Sequence, residues 1–154
     1  MKKQHFWTLG ISLILCFTGF GFAQEDIDQH PSCIHCGMDR LEYAHSRMLI
    51  EYQDGTSVGL CSIYCAAVEL VSNDGKTPEN ILVADYNSKT LINAKEAFWV
   101  IGGSKKGVMT QTAKWAFESK KDAETFIDEN GGELTNFDNA LKFAKEEFEA
   151  KKKR

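Results

Sequence analysis

The sequence predicts an α+β fold made of two related small ββα modules, treble-clef-like in layout, with a C-terminal helix. Three observations predict it. Short apolar runs separated by Gly, Asn and Asp turns give a strand pattern, and twice such a run passes through a serine into a helical pattern. Val58-Gly59-Leu60-Cys61-Ser62 leads into Cys65-Ala66-Ala67-Val68-Glu69-Leu70, and Trp115-Ala116-Phe117-Glu118-Ser119 leads into Asp122-Ala123-Glu124-Thr125-Phe126. A last helical stretch over residues 138–151 runs out into the solvated tail Lys151-Lys152-Lys153-Arg154.

The 154 residues suffice for one domain or two very small ones, and 43% hydrophobic with 26% charged residues is ordinary for a folded chain. Residues 1–23 are set apart as a signal peptide. Met1-Lys2-Lys3 is a short positive start, residues 8–23 are almost wholly apolar, and small residues flank a cleavage point after Ala23. The mature chain is therefore expected to be exported or periplasmic. Membrane attachment through an uncleaved N-terminus is the alternative, and Leu15 before Cys16 argues against a lipoprotein. Without Lys2 and Lys3, the 18 basic residues fall to 16 against 22 acidic ones, a formal balance of about −6. That excludes a nucleic-acid binder and favours a cation or a basic partner.

Residues 24–32 are polar and acidic, with Pro31 barring a helix just before the first cysteine, and read as a flexible lead-in. The domain proper is residues 33–150, with submodules of about 33–80 and 81–150. Cys33-Ile34-His35-Cys36-Gly37-Met38 has the spacing of a metal knuckle, a tight turn that points both sulfurs at one ion, with Gly37 supplying a positive φ. Haem attachment needs His where Gly37 stands. A thioredoxin-type pair needs a strand before the motif and a helix starting at it, and residues 24–39 offer neither.

Residues 48–52 and 56–60 form a predicted hairpin around Asp54-Gly55, which returns Cys61 towards Cys36. Ser62 is placed to cap a helix over 63–71 that stops before Asn73-Asp74-Gly75. Cys61 and Cys65 are four apart and share one helix face, at an N-terminus that favours thiolate. Two bland readings compete: buried core cysteines, and two disulfides formed after export. Against them, Ala66, Ala67, Val68 and Leu70 already make an apolar stripe, and four cysteines crowd into one third of the chain.

Beyond residue 80 the pattern is mostly extended. Residues 81–86, 91–93 and 97–101 read as strands, the last ended by Gly102-Gly103-Ser104. A loop around Lys105-Lys106-Gly107 presents Met109. Residues 115–117 are a strand, 120–130 a helix closed by Gly131-Gly132, and Leu134-Thr135 a short extended piece before the last helix.

The candidate metal ligands are Cys33, Cys36, Met38, Cys61, Cys65 and Met109. Thiolate and thioether are soft donors that suit Cu(I), and methionine is a poor zinc ligand, so Cu(I) is the expected ion and zinc its competitor. Met48, alternating with apolar strand residues, reads as core. His45 is either a ligand or a surface residue; His30 and His35 read as solvent-exposed. No catalytic residue is assigned and no enzyme is expected, Asp39 being the nearest acid for a thiol-based lyase. Three classes compete: a copper carrier, a structural zinc module that binds a protein partner, and a thiol redox or heavy-metal-handling protein.

The ordered motifs Cys33-x-x-Cys36-Gly37-Met38, Cys61-Ser62 after a hairpin, Ala97-Phe98-Trp99-Val100-x-Gly102-x-Ser104-x-x-Gly107-x-Met109, Ala116-Phe117 and Asp122-Ala123 resemble the NosL family. These are copper-carrying accessory proteins of nitrous oxide reductase assembly. The resemblance spans nearly all of residues 33–143. It implies an exported Cu(I) metallochaperone with the two-module fold also seen in the non-catalytic part of organomercurial lyase (MerB). It further implies delivery to a periplasmic copper enzyme such as nitrous oxide reductase, together with a membrane copper-delivery complex. The chain departs from the common pattern in its extra cysteine, Cys65, and in Thr110 after the loop methionine.

Overall fold

The computed structural model describes residues 25–73 and 75–153; the expected signal peptide lies outside them. In chain order the elements are α1 (Glu25–Gln29), β1 (Met48–Tyr52), β2 (Ser57–Leu60), α2 (Ile63–Ser72), β3 (Pro78–Ala84) and β4 (Leu91–Asn93). Then follow β5 (Phe98–Ile101), β6 (Lys114–Phe117), α3 (Lys120–Asn130), β7 (Glu133–Thr135) and α4 (Phe137–Lys152). The fold is α+β, with two small antiparallel sheets ordered β2-β1-β3-β4 and β6-β5-β7. Each sheet contains a hairpin followed by a helix, β1-β2-α2 and β5-β6-α3, and α4 closes the chain.

The first sheet is built on β1, whose Met48, Ile50 and Tyr52 are fully enclosed. Met48 faces Leu60 on one side and Val83 on the other, so three apolar side chains stack across neighbouring strands. Strands β3 and β4 come from the stretch expected to open the second submodule, yet they extend the first sheet. The boundary between the two sheets therefore falls after Asn93. A short apolar run carries no mark of which sheet edge it will join; pairing with β1 decides it.

The helices follow their signals. Ser119 accepts from the Asp122 amide at 3.1 Å and Asn136 from the Asn139 amide at 3.0 Å, each satisfying a free amide of the first turn. In α4, Phe137, Ala140 and Ala144 are buried at helical spacing, and Phe137 packs on Trp99 with ring centroids 5.9 Å apart. Because α4 also lies against α2, the C-terminal helix backs the first module. Ser62 occupies the N-cap position of α2 but makes no capping bond; its hydroxyl instead lies 3.8 Å from the Cys61 sulfur.

The segment expected as a flexible lead-in is instead the short helix α1, with Asp26 and Ile27 buried. It stops at Gln29, ahead of Pro31. Five residues cannot hold a helix by themselves; what holds α1 is the burial of the Asp26 carboxylate against Arg47 and Arg40.

Candidate metal centre

The knuckle is a closed turn. The Cys33 amide donates to Met38 O at 2.9 Å, the Gly37 amide donates to Cys33 O at 2.8 Å, and Gly37 takes φ 72°. That φ is available to glycine without strain. A third bond, Ile34 N to Gly59 O at 3.1 Å, pins the turn to the end of β2, two residues before Cys61. Cys65 then follows in the first turn of α2.

All four thiols converge. Cys36 and Cys61 sulfurs lie 3.5 Å apart, Cys61 and Cys65 3.7 Å, and Cys65 and Cys36 3.8 Å. The four sulfurs, with that of Cys33, lie within 4.8 Å of one another. Four sulfurs bound tetrahedrally at about 2.3 Å to a single ion stand about 3.8 Å apart. The cluster is therefore close to a ligand shell already, and the four cysteines are free thiols rather than disulfides. Cys33, Cys61 and Cys65 are buried, and Cys36 is the one partly open to solvent.

The cluster carries its charge unevenly. Hydrogen bonds from the Cys61 and Cys65 thiols push Cys33 well below the usual thiol range. Cys61 is pushed up, first by its bond to Cys33 and then by burial. Cys65 is pushed up by its bonds to Cys33 and Cys61 and by burial.

The surrounding frame was not visible in the sequence. Ser46 Oγ donates to Cys61 O at 2.8 Å, and Arg40 Nε donates to Leu60 O at 3.2 Å, fixing the backbone on which Cys61 sits. Arg40 also donates to Asp26 O, His30 O and Met48 O, so its buried guanidinium is fully engaged. Glu69, one turn beyond Cys65, accepts from the His35 ring at 2.7 Å and from the Tyr52 hydroxyl at 2.6 Å.

The other sequence candidates fall in different places. Met38 and Met109 are half-buried and pack against the core that includes Cys33, Cys61 and Cys65. Met109 has φ 62°, and its carbonyl accepts from Lys151 Nζ at 3.0 Å. Met48 is core. His45 is neither a member of the sulfur cluster nor a free surface residue: it packs on Trp115 at 5.4 Å and on Tyr86 at 5.8 Å. His30, expected to be exposed, is half-buried with its Nε2 2.8 Å from Ser57 Oγ. His35 is exposed, as expected, and its ring Nε2 meets Glu69 Oε2 at 2.7 Å.

A family model for NosL matches residues 24–142. The chain belongs to the NosL family. Among solved structures, it is similar to the copper chaperone NosL from Shewanella denitrificans, with 26% identity and a TM-score of 0.53 over 70% of this chain and 87% of that one. No curated protein matches it significantly. The solved NosL is a copper chaperone, and the four-cysteine cluster here is a group suited to holding a metal ion.

Proposed function

We propose that this chain is an exported Cu(I) metallochaperone that holds one ion on Cys33, Cys36, Cys61 and Cys65. It hands the ion to a periplasmic copper enzyme such as nitrous oxide reductase, working with a membrane copper-delivery complex. The observation that carries the reading is the set of sulfur separations from 3.5 to 3.8 Å, close to those of a single coordination shell. Soft thiolates favour Cu(I), and membership of the NosL family and likeness to a copper chaperone support copper as the cargo. Met38 and Met109 are proposed as neutral thioether donors at the rim. In this reading residues 1–23 are the export signal, and the mature chain starts at Gln24.

A second reading is favoured by the same cluster. Four thiolates closed around one position are also the arrangement of structural zinc sites, in which the ion is permanent and the protein serves as a binding module. Anaerobic titration with Cu(I) and Zn(II) in competition, followed by X-ray absorption for the sulfur count, separates the two. The carrier reading expects Cu(I) to displace zinc, a shell of three or four sulfurs at about 2.3 Å, and release of Cu(I) to an apo copper protein. Retention of zinc against excess Cu(I) would establish the structural site instead. Mass spectrometry of the chain from a periplasmic fraction tests the expected N-terminus.

A further inference from the structure

One polar connection at the centre has no part in binding the ion. His35 lies between the two knuckle cysteines, and its Nε2 is 2.7 Å from Glu69 Oε2, with the two side chains only 26% and 15% exposed. Glu69 stands on α2 at the spacing Cys61, Cys65, Glu69, the same helix face as the thiols. Its second oxygen accepts from the hydroxyl of Tyr52, a residue 1% exposed on β1. The carboxylate is thus held by the core on one side and grips the knuckle on the other.

The other pins on the knuckle act elsewhere. Cys33 is fixed by its bonds with Met38 and Gly37, and Ile34 by Gly59. Cys36 is held from within the knuckle by its amide, which bonds the Cys33 thiol, and its neighbour His35 adds the tie to Glu69 on α2. It is also the least buried of the four cysteines, and it contacts both Cys61 and Cys65. Ile34, alongside, is 63% exposed, so this outer half of the knuckle faces solvent.

We infer that His35 and Glu69 are positioning residues that latch Cys36 onto the cluster and thereby set the rate at which the ion leaves. This rests on the carrier reading for the ion, but the latch itself is a property of the apo protein. With the latch closed, three buried sulfurs and Cys36 enclose the position between them. With it open, Cys36 swings outward on the knuckle, and an acceptor thiolate or thioether can take its place in the shell. Transfer then proceeds by ligand exchange, with one metal–sulfur bond formed as one breaks and no change in oxidation state.

Two measurements test it, one needing no metal. In the apo protein, the rate of iodoacetamide labelling is read for each cysteine by mass spectrometry. H35A and E69A should each raise labelling of Cys36 about tenfold, the scale of one lost charge-assisted bond, with little change at Cys33, Cys61 and Cys65. H35Q, which keeps a donor for the carboxylate, should restore slow labelling. The double variant H35A/E69A should gain no more than either single change, because both remove one interaction. In the Cu(I)-loaded protein, transfer to bathocuproine disulfonate should speed up in the same order. Unchanged Cys36 labelling in H35A, an equal rise at all four cysteines, or additive effects in the double variant would overturn the latch. A wild-type chain that takes up no Cu(I) would overturn the carrier reading, and the labelling would still decide the latch.

Discussion

Asp26 Oδ2 and Arg40 Nη2 meet at 2.7 Å, with the arginine side chain fully enclosed and the aspartate side chain 7% exposed. The same carboxylate accepts from Arg47 at 2.9 Å through both of its oxygens. This bond joins the first helix to the knuckle side of the first module, because Arg40 follows the knuckle directly and also holds the Leu60 carbonyl just before Cys61. Burying such charges is costly unless every donor is engaged, and here the backbone carbonyls around Arg40 complete the set.

Removing one partner leaves the others buried and uncompensated. Asp26→Ala is therefore expected to lower folding stability by about 3–5 kcal/mol. Urea unfolding of the apo protein measures it. A loss under about 1 kcal/mol, the size of a surface pair, would show that α1 is not part of the folded frame.

The same carboxylate gives a pH signature. Burial alone would raise its pKa, but the bonds and charges of Arg47 and Arg40 outweigh that and hold it below the ordinary value of 3.8. A group with a depressed folded pKa contributes its stability fully above the unfolded pKa, and the contribution is lost as pH falls through the folded one. Wild-type protein should thus lose stability progressively below about pH 4. Asp26→Asn should lack this component, which acid titration followed by circular dichroism of both proteins would reveal.

The ion cluster also marks where the sequence stops being legible. Asp26 finds Arg40 and Arg47 across 14 and 21 residues, and nothing in the local pattern of a short acidic segment announces that pairing. For the same reason the lead-in read as flexible: its helix comes from tertiary contact, not propensity. The hairpin of β1 and β2, the helix carrying Cys65 and the last two helices were legible because apolar period, turns and caps agree there. Convergence of the cysteines was legible too, since a knuckle and a helix start joined by a hairpin leave the sulfurs little else to face. His45 shows the opposite case. It is close to the knuckle in sequence, but the chain turns it into the aromatic group of Tyr86 and Trp115, which only the packing of the two sheets brings together.

Metal uptake should expel protons. Cys33 is pushed down by its bonds from Cys61 and Cys65, whereas Cys61 and Cys65 are raised by their bonds within the cluster and by burial, which favours their thiol forms. Binding requires them deprotonated, so apparent Cu(I) affinity should rise with pH and fall as pH drops, with protons released on binding near pH 7. Calorimetry in two buffers of different ionisation enthalpy counts them. No release would mean that the ion binds a cluster already fully deprotonated.

Gly59 is where α1's exit and Arg40 press onto β2. A Cβ there would stand 2.7 Å from Arg40 Nη1 and closer still to the His30 Cβ. Gly59→Ala should therefore destabilise the protein by about 1–3 kcal/mol through overpacking. Because Gly59 O receives the Ile34 amide, the variant should also weaken Cu(I) binding. Parallel thermal unfolding and Cu(I) competition would show both effects; a fully native profile would place α1 further from β2.

Met109 separates packing from metal chemistry. Its φ of 62° lies in the left-handed region, which costs a non-glycine residue about 1–2 kcal/mol. Gly107 is close by, yet the positive φ falls on the methionine, which is half-buried against the core shared with Cys33, Cys61 and Cys65. Met109→Gly removes the strain and the side chain together. Relief of about 1 kcal/mol should roughly offset the lost burial of a half-exposed thioether, leaving apo stability within about 1 kcal/mol of wild type. If Met109 is a donor, Cu(I) affinity should nevertheless fall about tenfold, near 1.4 kcal/mol, while zinc affinity stays unchanged. If it is only a packing residue, Met109→Leu, which keeps the volume and removes the sulfur, should bind Cu(I) as tightly as wild type. Apo thermal unfolding beside competitive Cu(I) and Zn(II) titrations of the two variants decides between them: a tenfold loss of Cu(I) affinity in both, with zinc unaffected, identifies the thioether as a ligand.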